Sequence, residues 1–140
     1  MSSGRATSQE DLLTGFAAVA PLFAAPAELK AQSEFDLDAI MPTILAPLYE
    51  TINAAMGDCL SRYDLRDRLH EIKVPTLVYV GRYDWINPVS SSEEIVANIP
   101  GAKLIVYEKS GHFAALEEKT KFRRDFRDFV KGLGVEGIQV

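Results

Sequence analysis

Thiol and imidazole are scarce in this 140-residue chain: Cys59 is its one cysteine, and His70 and His112 are its two histidines. A single thiol excludes an internal disulfide and a thiolate metal cluster. Two histidines leave too few nitrogen ligands for a zinc site, so no metal and no cofactor is expected. Basic side chains are in the minority, 15 against 20 acidic, for a net charge of −5. With no basic stripe either, nucleic acid is not expected as a partner. No uninterrupted apolar run approaches the ~20 residues needed to cross a bilayer. Internal repeats and low-complexity linkers are missing as well.

What is present suits a folded domain. Apolar residues make up 47% and charged residues 25%, enough to build a core rather than remain disordered. The stretch FAAVAPLFAAPA (16–27) is similar to the apolar core of a secretion signal. Gln9, Glu10 and Asp11 stand where a basic leader belongs, however, and Pro21 splits the run. The default expectation is a cytoplasmic protein with no membrane partner.

Residues 1–61 read as a helical region. Ser8 is placed to cap a helix whose first turn carries Glu10 and Asp11, and Leu12, Leu13, Phe16, Ala17 and Ala20 keep helical spacing. A second apolar face runs through Leu37, Ile40, Met41, Ile44, Leu45, Leu48, Ile52, Met56, Cys59 and Leu60, with Pro42 and Pro47 predicting a kink or two successive helices.

The pattern changes over 62–140. YDLRDRLHEI (63–72) predicts a helix capped by Asp64. VPTLVYVG (74–81) is a near-continuous apolar, β-branched run, as in a strand buried on both faces. SSEEIVANI (91–99) predicts a helix opened by a Ser91–Glu94 capping box and closed by Pro100-Gly101. Leu104 to Tyr107 lie in a second strand, and Phe122, Phe126, Phe129, Val130 and Leu133 mark a final helix that Gly132 and Gly134 stop. Strand, helix, strand predicts a βαβ unit with parallel strands. The fold expected is α/β.

Each strand ends in a glycine-containing turn that carries one polar residue: Gly81-Arg82-Tyr83-Asp84 and Ser110-Gly111-His112. Parallel neighbours bring both turns to the same sheet edge, where α/β proteins gather functional groups. Asp84 and His112 can meet there. A carboxylate that accepts from one imidazole nitrogen fixes the tautomer and leaves the other nitrogen free as a base. Read singly, each is ordinary: Asp in a turn often bonds its own backbone, and Gly-His can be a plain turn.

GRYDWINP, SGHFAALEE and the preceding YDLRDRLHEIKVPTLVYV together resemble the last third of an α/β-hydrolase, nearest the proline-iminopeptidase-like branch. The resemblance covers about 62–131, and the helices of 1–60 would suit the cap that family inserts before this part of the sheet. It implies that Asp84 orients the base and His112 is the base. Pro88 and Glu117 match positions usual in the family. The proline that often follows the acid is replaced by Glu118, Lys119 and Thr120. The implied reaction is hydrolysis of an amide or ester, prolyl-aminopeptidase-like, on a small-molecule or peptide substrate. Cap acids would hold the substrate amine. Glu34, Asp36, Asp38 and Glu50 are available, and no motif selects among them.

The nucleophile that such a reaction requires, a serine in G-x-S-x-G between strand and helix, matches no serine of this chain. Gly57-Asp58-Cys59-Leu60-Ser61 is the nearest lookalike, but a helical pattern precedes it. The expectation is therefore a cap plus the C-terminal part of a hydrolase sheet: an acid–base pair without its nucleophile, inactive alone. Two strands make a poor sheet, so self-association through the open sheet edge is expected. The competing expectation is a non-catalytic, hydrolase-derived interaction module. Trp85 is expected to pack in the core and His70 to be structural.

Overall fold

The computed structural model describes residues 5–30, 33, 34, 39 and 49–134. It divides into two compact units: residues 1–21 with 36–65, and residues 22–35 with 66–140. The second is a mixed α/β body with a small open sheet and flanking helices.

In the first unit, helix α1 spans Gln9–Val19. Ser8 caps it as expected, its hydroxyl accepting from the Asp11 amide at 3.1 Å. Asp11 in turn accepts from the Thr7 amide and hydroxyl, and these hydrogen bonds hold its carboxyl below the usual carboxylate range. The Asn53 side chain ties 49–59 to the N-terminal segment: Nδ2 donates to the Ala6 carbonyl at 2.7 Å and Oδ1 accepts from the Ala6 amide at 3.1 Å. Asn53 ends helix α3, Tyr49–Asn53, which runs on into a π-helical stretch, Ala54–Cys59. The apolar face expected over Leu37, Ile40, Met41, Ile44, Leu45 and Leu48, with Pro42 and Pro47, lies outside the described residues.

Gly15 stands in the middle of α1, and a Cβ built there meets nothing within 4 Å. A helix-interior glycine costs roughly 0.5–1 kcal/mol relative to alanine, through the freedom it has in the unfolded chain. Gly15→Ala is accordingly expected to stabilise the chain by that amount. A rise in the urea midpoint at unchanged slope would show it, and a fall would mean that the site is not open.

The second unit begins with chain that had no strand or core signal of its own. A 3₁₀ turn (Ala20–Phe23) and the short helix α2 (Ala27–Lys30) lead into it, with Ala25 buried. The predicted helix over 63–72 is instead a 3₁₀ helix, Arg66–Glu71. Asp64 therefore caps no α-helix, and the Arg68–Glu71 ion pair closes at i,i+3, the spacing a 3₁₀ turn eclipses.

Strand β1 is Leu77–Gly81, shorter than the run from Val74 that suggested it. Helix α4 is Val89–Asn98, strand β2 is Lys103–Tyr107, α5 is Ala114–Glu117 and α6 is Lys119–Lys131. The strands are parallel and register Leu77 with Lys103 through to Gly81 with Tyr107. The Ser91–Glu94 capping box does not form. Pro88 is the N-cap, in extended backbone and without a side-chain cap bond, and Ser91 is already inside the first turn, its amide donating to the Pro88 carbonyl at 2.9 Å. The helix thus starts at Val89, two positions before the serine expected to cap it.

Helix α6 lays its aromatic stripe against the sheet. Phe122 meets Tyr79 and Tyr107 at ring-centroid distances of 5.0 and 6.4 Å, and stacks with Phe126 at 6.0 Å. Tyr107 is wholly buried; burial first, then the Asp125 carboxylate, pushes its phenol well above the usual tyrosine value. β1 is not buried on both faces: Val80 and Gly81 are, but Tyr79 remains 44% exposed. Among the described residues the sheet has two strands, and the Phe122 ring, in contact with Tyr79, covers that side chain only in part.

Candidate active site

The register places Gly81 beside Tyr107, so both strands reach their carboxyl ends together. The two turns beyond are laced to each other. The Arg82 amide donates to the Tyr107 carbonyl at 2.9 Å, and the Tyr83 amide to the Ser110 carbonyl at 3.0 Å. This close approach explains why position 81 is a glycine. A Cβ there would overlap the Gly111 carbonyl oxygen and lie 2.7 Å from the Ser110 carbonyl carbon.

Asp84 follows, 7% exposed, with its amide donating to the Gly81 carbonyl at 3.2 Å. Oδ1 accepts from the Ile86 and Asn87 amides at 3.0 and 2.9 Å. Oδ2 faces His112 Nδ1 at 3.0 Å. The ordinary and the functional readings of this aspartate thus hold together: one oxygen builds the turn and the other meets the imidazole. An ionised carboxylate only accepts, so the proton in this bond sits on Nδ1, and in the neutral form of the ring Nε2 is left with its lone pair.

His112 lies on the loop between β2 and α5, and its backbone is tethered on every side. Its amide donates to the Phe23 carbonyl at 2.7 Å. The Gly111 and Phe113 amides both donate to Glu117 Oε1, at 2.9 and 3.1 Å, and the Ala25 amide to Glu117 Oε2 at 3.1 Å. Gly111 is a second enforced glycine, since a Cβ would stand 2.6 Å from the Ala24 carbonyl carbon. The imidazole sits edge-on to Phe23 and Phe113, at centroid distances of 5.5 and 5.3 Å.

The structure brings Asp84 and His112 together, as the spacing of the two strand ends implied. Glu117 stood out in the sequence only as a motif position; burial to 3% exposure and three amide donors make it part of the same assembly. Phe23 and Ala25, nearly 90 positions upstream of His112, left no local signal. Glu34 accepts from the Thr120 amide and hydroxyl at 2.9 and 2.6 Å, bonds that hold its carboxyl below the usual value, so it anchors the start of α6 rather than standing free. Asp36 and Asp38 lie outside the described residues, and Glu50 is exposed on α3.

Trp85 does not pack in the core. It is 57% exposed, because the turn held by Asp84 Oδ1 carries residues 85–87 outward. His70 is exposed. The backbone at Cys59 closes a π-helical stretch preceded by α3, not the strand-to-helix turn of a nucleophile. Ser110 is fully buried, with its hydroxyl donating to Glu118 Oε1 at 2.7 Å, which removes it as an open nucleophile. Among the described residues no cluster of His, Cys, Asp or Glu could hold a metal ion, and no helix is long and apolar enough to cross a membrane.

Comparison with known proteins agrees with this geometry. Residues 49–119, half of the chain, match the alpha/beta hydrolase fold family. A proline iminopeptidase from Saccharolobus solfataricus is 38% identical over 68 residues, 49% of this chain and 22% of the relative. A 2-hydroxy-6-oxo-6-phenylhexa-2,4-dienoate hydrolase from Burkholderia cepacia is 42% identical over 71 residues, 51% of this chain and 25% of the relative. The chain therefore spans about a quarter of the length of these curated relatives. Among solved structures, an esterase from Exiguobacterium antarcticum aligns with a TM-score of 0.69 at 28% identity, over 88% of this chain and 44% of its own. An enol-lactonase from Burkholderia xenovorans shares the fold, with a TM-score of 0.74 at 24% identity over 87% of this chain and 46% of its own. With a family match over half its length and a parallel sheet edge that presents aspartate and histidine in bonding contact, this chain belongs to the alpha/beta hydrolase fold family.

Proposed function

We propose that this chain supplies the acid–base half of a serine hydrolase acting on amide or ester bonds, in the manner of a prolyl aminopeptidase. Asp84 holds the Nδ1 tautomer, and His112 takes a proton at Nε2 from an attacking hydroxyl and returns it to the leaving group. The observation that carries this reading is the 3.0 Å contact between His112 Nδ1 and Asp84 Oδ2. The likeness to a proline iminopeptidase favours an amide or peptide substrate, and residues 1–61 would correspond to the cap and 62–140 to the C-terminal part of the sheet. No serine of the chain stands in G-x-S-x-G, so the nucleophile and its oxyanion donors come from sequence outside these 140 residues. The chain alone is expected to be inactive.

The test is a graft of residues 62–131 into the matching segment of the Saccharolobus solfataricus proline iminopeptidase, with hydrolysis of a prolyl anilide as the readout. Turnover that depends on both Asp84 and His112 supports the reading. A folded graft without activity, or one indifferent to His112, removes it.

A second reading, a hydrolase-derived interaction module, is favoured by the narrow sheet. Among the described residues β1 pairs only with β2, which leaves the far edge of each strand unpaired. Self-association through that edge is the expected outcome for the isolated chain, read by sedimentation as dimers or larger species. A monodisperse monomer with sharp cooperative melting would count against it.

A further inference from the structure

We propose that Glu117 is the positioning residue for His112, acting through the backbone to hold the imidazole against Asp84; the inference rests on the reading of Asp84 and His112 as an acid–base pair. His112 belongs to no strand and no helix, so the direction of its side chain depends on how the loop backbone is held. Every amide from 109 to 113 has a partner. Lys109 donates to Glu118 Oε1 at 2.9 Å and Ser110 to the Tyr107 carbonyl at 3.4 Å. Gly111 and Phe113, on either side of His112, share Glu117 Oε1, while His112 itself donates to the Phe23 carbonyl.

The other oxygen of Glu117 makes this more than a local cap. Oε2 accepts from the Ala25 amide, on the segment whose Phe23 carbonyl receives the His112 amide. One carboxylate therefore joins two backbones that lie side by side, and His112 is clamped between them. Burying an ionised carboxylate costs several kcal/mol unless hydrogen bonds replace its water. Here three main-chain donors replace it, and they do so only while Gly111, Phe113 and Ala25 stay where they are. The electrostatic cost of burial is thereby converted into a requirement on loop geometry. Phe23 and Phe113 add walls on the imidazole itself. None of the hydrogen bonds of Glu117 reaches the ring, so it touches no reacting atom.

Glutamine in its place would set an NH2 group against backbone N–H donors, and at least one tether would be lost. The experiment follows the His112 Nδ1 proton by NMR in the ¹⁵N-labelled full chain, with solvent exchange of the β2 amides as the reference for global opening. In the unmodified chain the Nδ1–H signal is expected to be protected, and to vanish in Asp84→Asn. In Glu117→Gln its exchange is expected to rise roughly tenfold relative to the β2 amides, the loss of about one hydrogen bond. Glu117→Asp, which keeps the charge with shorter reach, is expected to fall between.

A protected Nδ1–H in Glu117→Gln, equal to that of the unmodified chain, overturns the positioning role and leaves the acid–base pair intact. Absence of a protected Nδ1–H in the unmodified chain overturns the pair and the inference with it. Should Glu117→Gln and Glu117→Asp both unfold, or both raise Nδ1–H and β2 exchange in parallel, Glu117 is a general fold residue and the proposal fails.

Discussion

Replacing His112 by alanine in a hydrolase rebuilt around residues 62–131 is expected to lower kcat/KM for a prolyl anilide by about 10⁴-fold or more, with little change in substrate affinity. Among the described residues His112 supplies the one imidazole at this sheet edge, the side chain suited both to take and to return a proton, so its removal leaves binding and whatever oxyanion donors the host supplies. Asp84→Asn is expected to cost about 10⁴-fold in kcat for a different reason. An amide NH2 facing Nδ1 would favour the tautomer protonated at Nε2, the nitrogen that must be free to act as a base. Asp84 Oδ1 also accepts from the Ile86 and Asn87 amides, and asparagine can keep those bonds if its carbonyl oxygen takes that side. The variant should therefore remain folded while losing turnover. A single-digit loss in either variant would mean that the pair is structural.

Gly81→Ala is expected to destabilise the isolated chain by about 3 kcal/mol and to lower Tm by about 10 °C. The added methyl group would overlap the Gly111 carbonyl oxygen and press on the Ser110 carbonyl carbon. Both belong to backbone, so no side-chain rotation relieves the clash. The two turns would have to separate, breaking the Tyr83–Ser110 bond that keeps the aspartate loop on the histidine loop. The same variant should therefore lose the protected His112 Nδ1–H. Thermal melting and the imidazole signal check the two halves separately, and a folded Gly81→Ala with an intact signal would show that the turns are not coupled through this contact.

Elements with a strong local signal are legible in the sequence. Lys103–Tyr107 is a strand because four consecutive apolar or aromatic residues, three of them favouring β structure or a buried face, sit between a Pro-Gly stop and a Ser-Gly turn. The final helix follows from phenylalanines spaced at three and four positions, and Gly132 is its C-cap. The Ser8 cap formed as read. Where two local rules competed, the outcome was decided by position. Ser91 and Glu94 have the spacing of a capping box, but the helix starts earlier, at Val89, and Ser91 lies in the helical turn, where its hydroxyl has no cap to make. The run at 63–72 has helical spacing, yet it closes as 3₁₀ through Arg68 and Glu71.

The sequence by itself determined the parallel pair of strands, the glycine-bearing turns at their ends and the identity of the two residues that meet there, because short apolar, β-branched runs, turn chemistry and the βαβ order are all local or nearly local properties. Only the tertiary structure decided how the histidine is held. Phe23, Ala25 and Glu117 converge on His112 from separate segments, and hydrogen bonds to main-chain groups are almost indifferent to the side chain of the donor residue. Such bonds leave no trace in residue identity, except at Gly81 and Gly111, where the backbones come too close for any other residue.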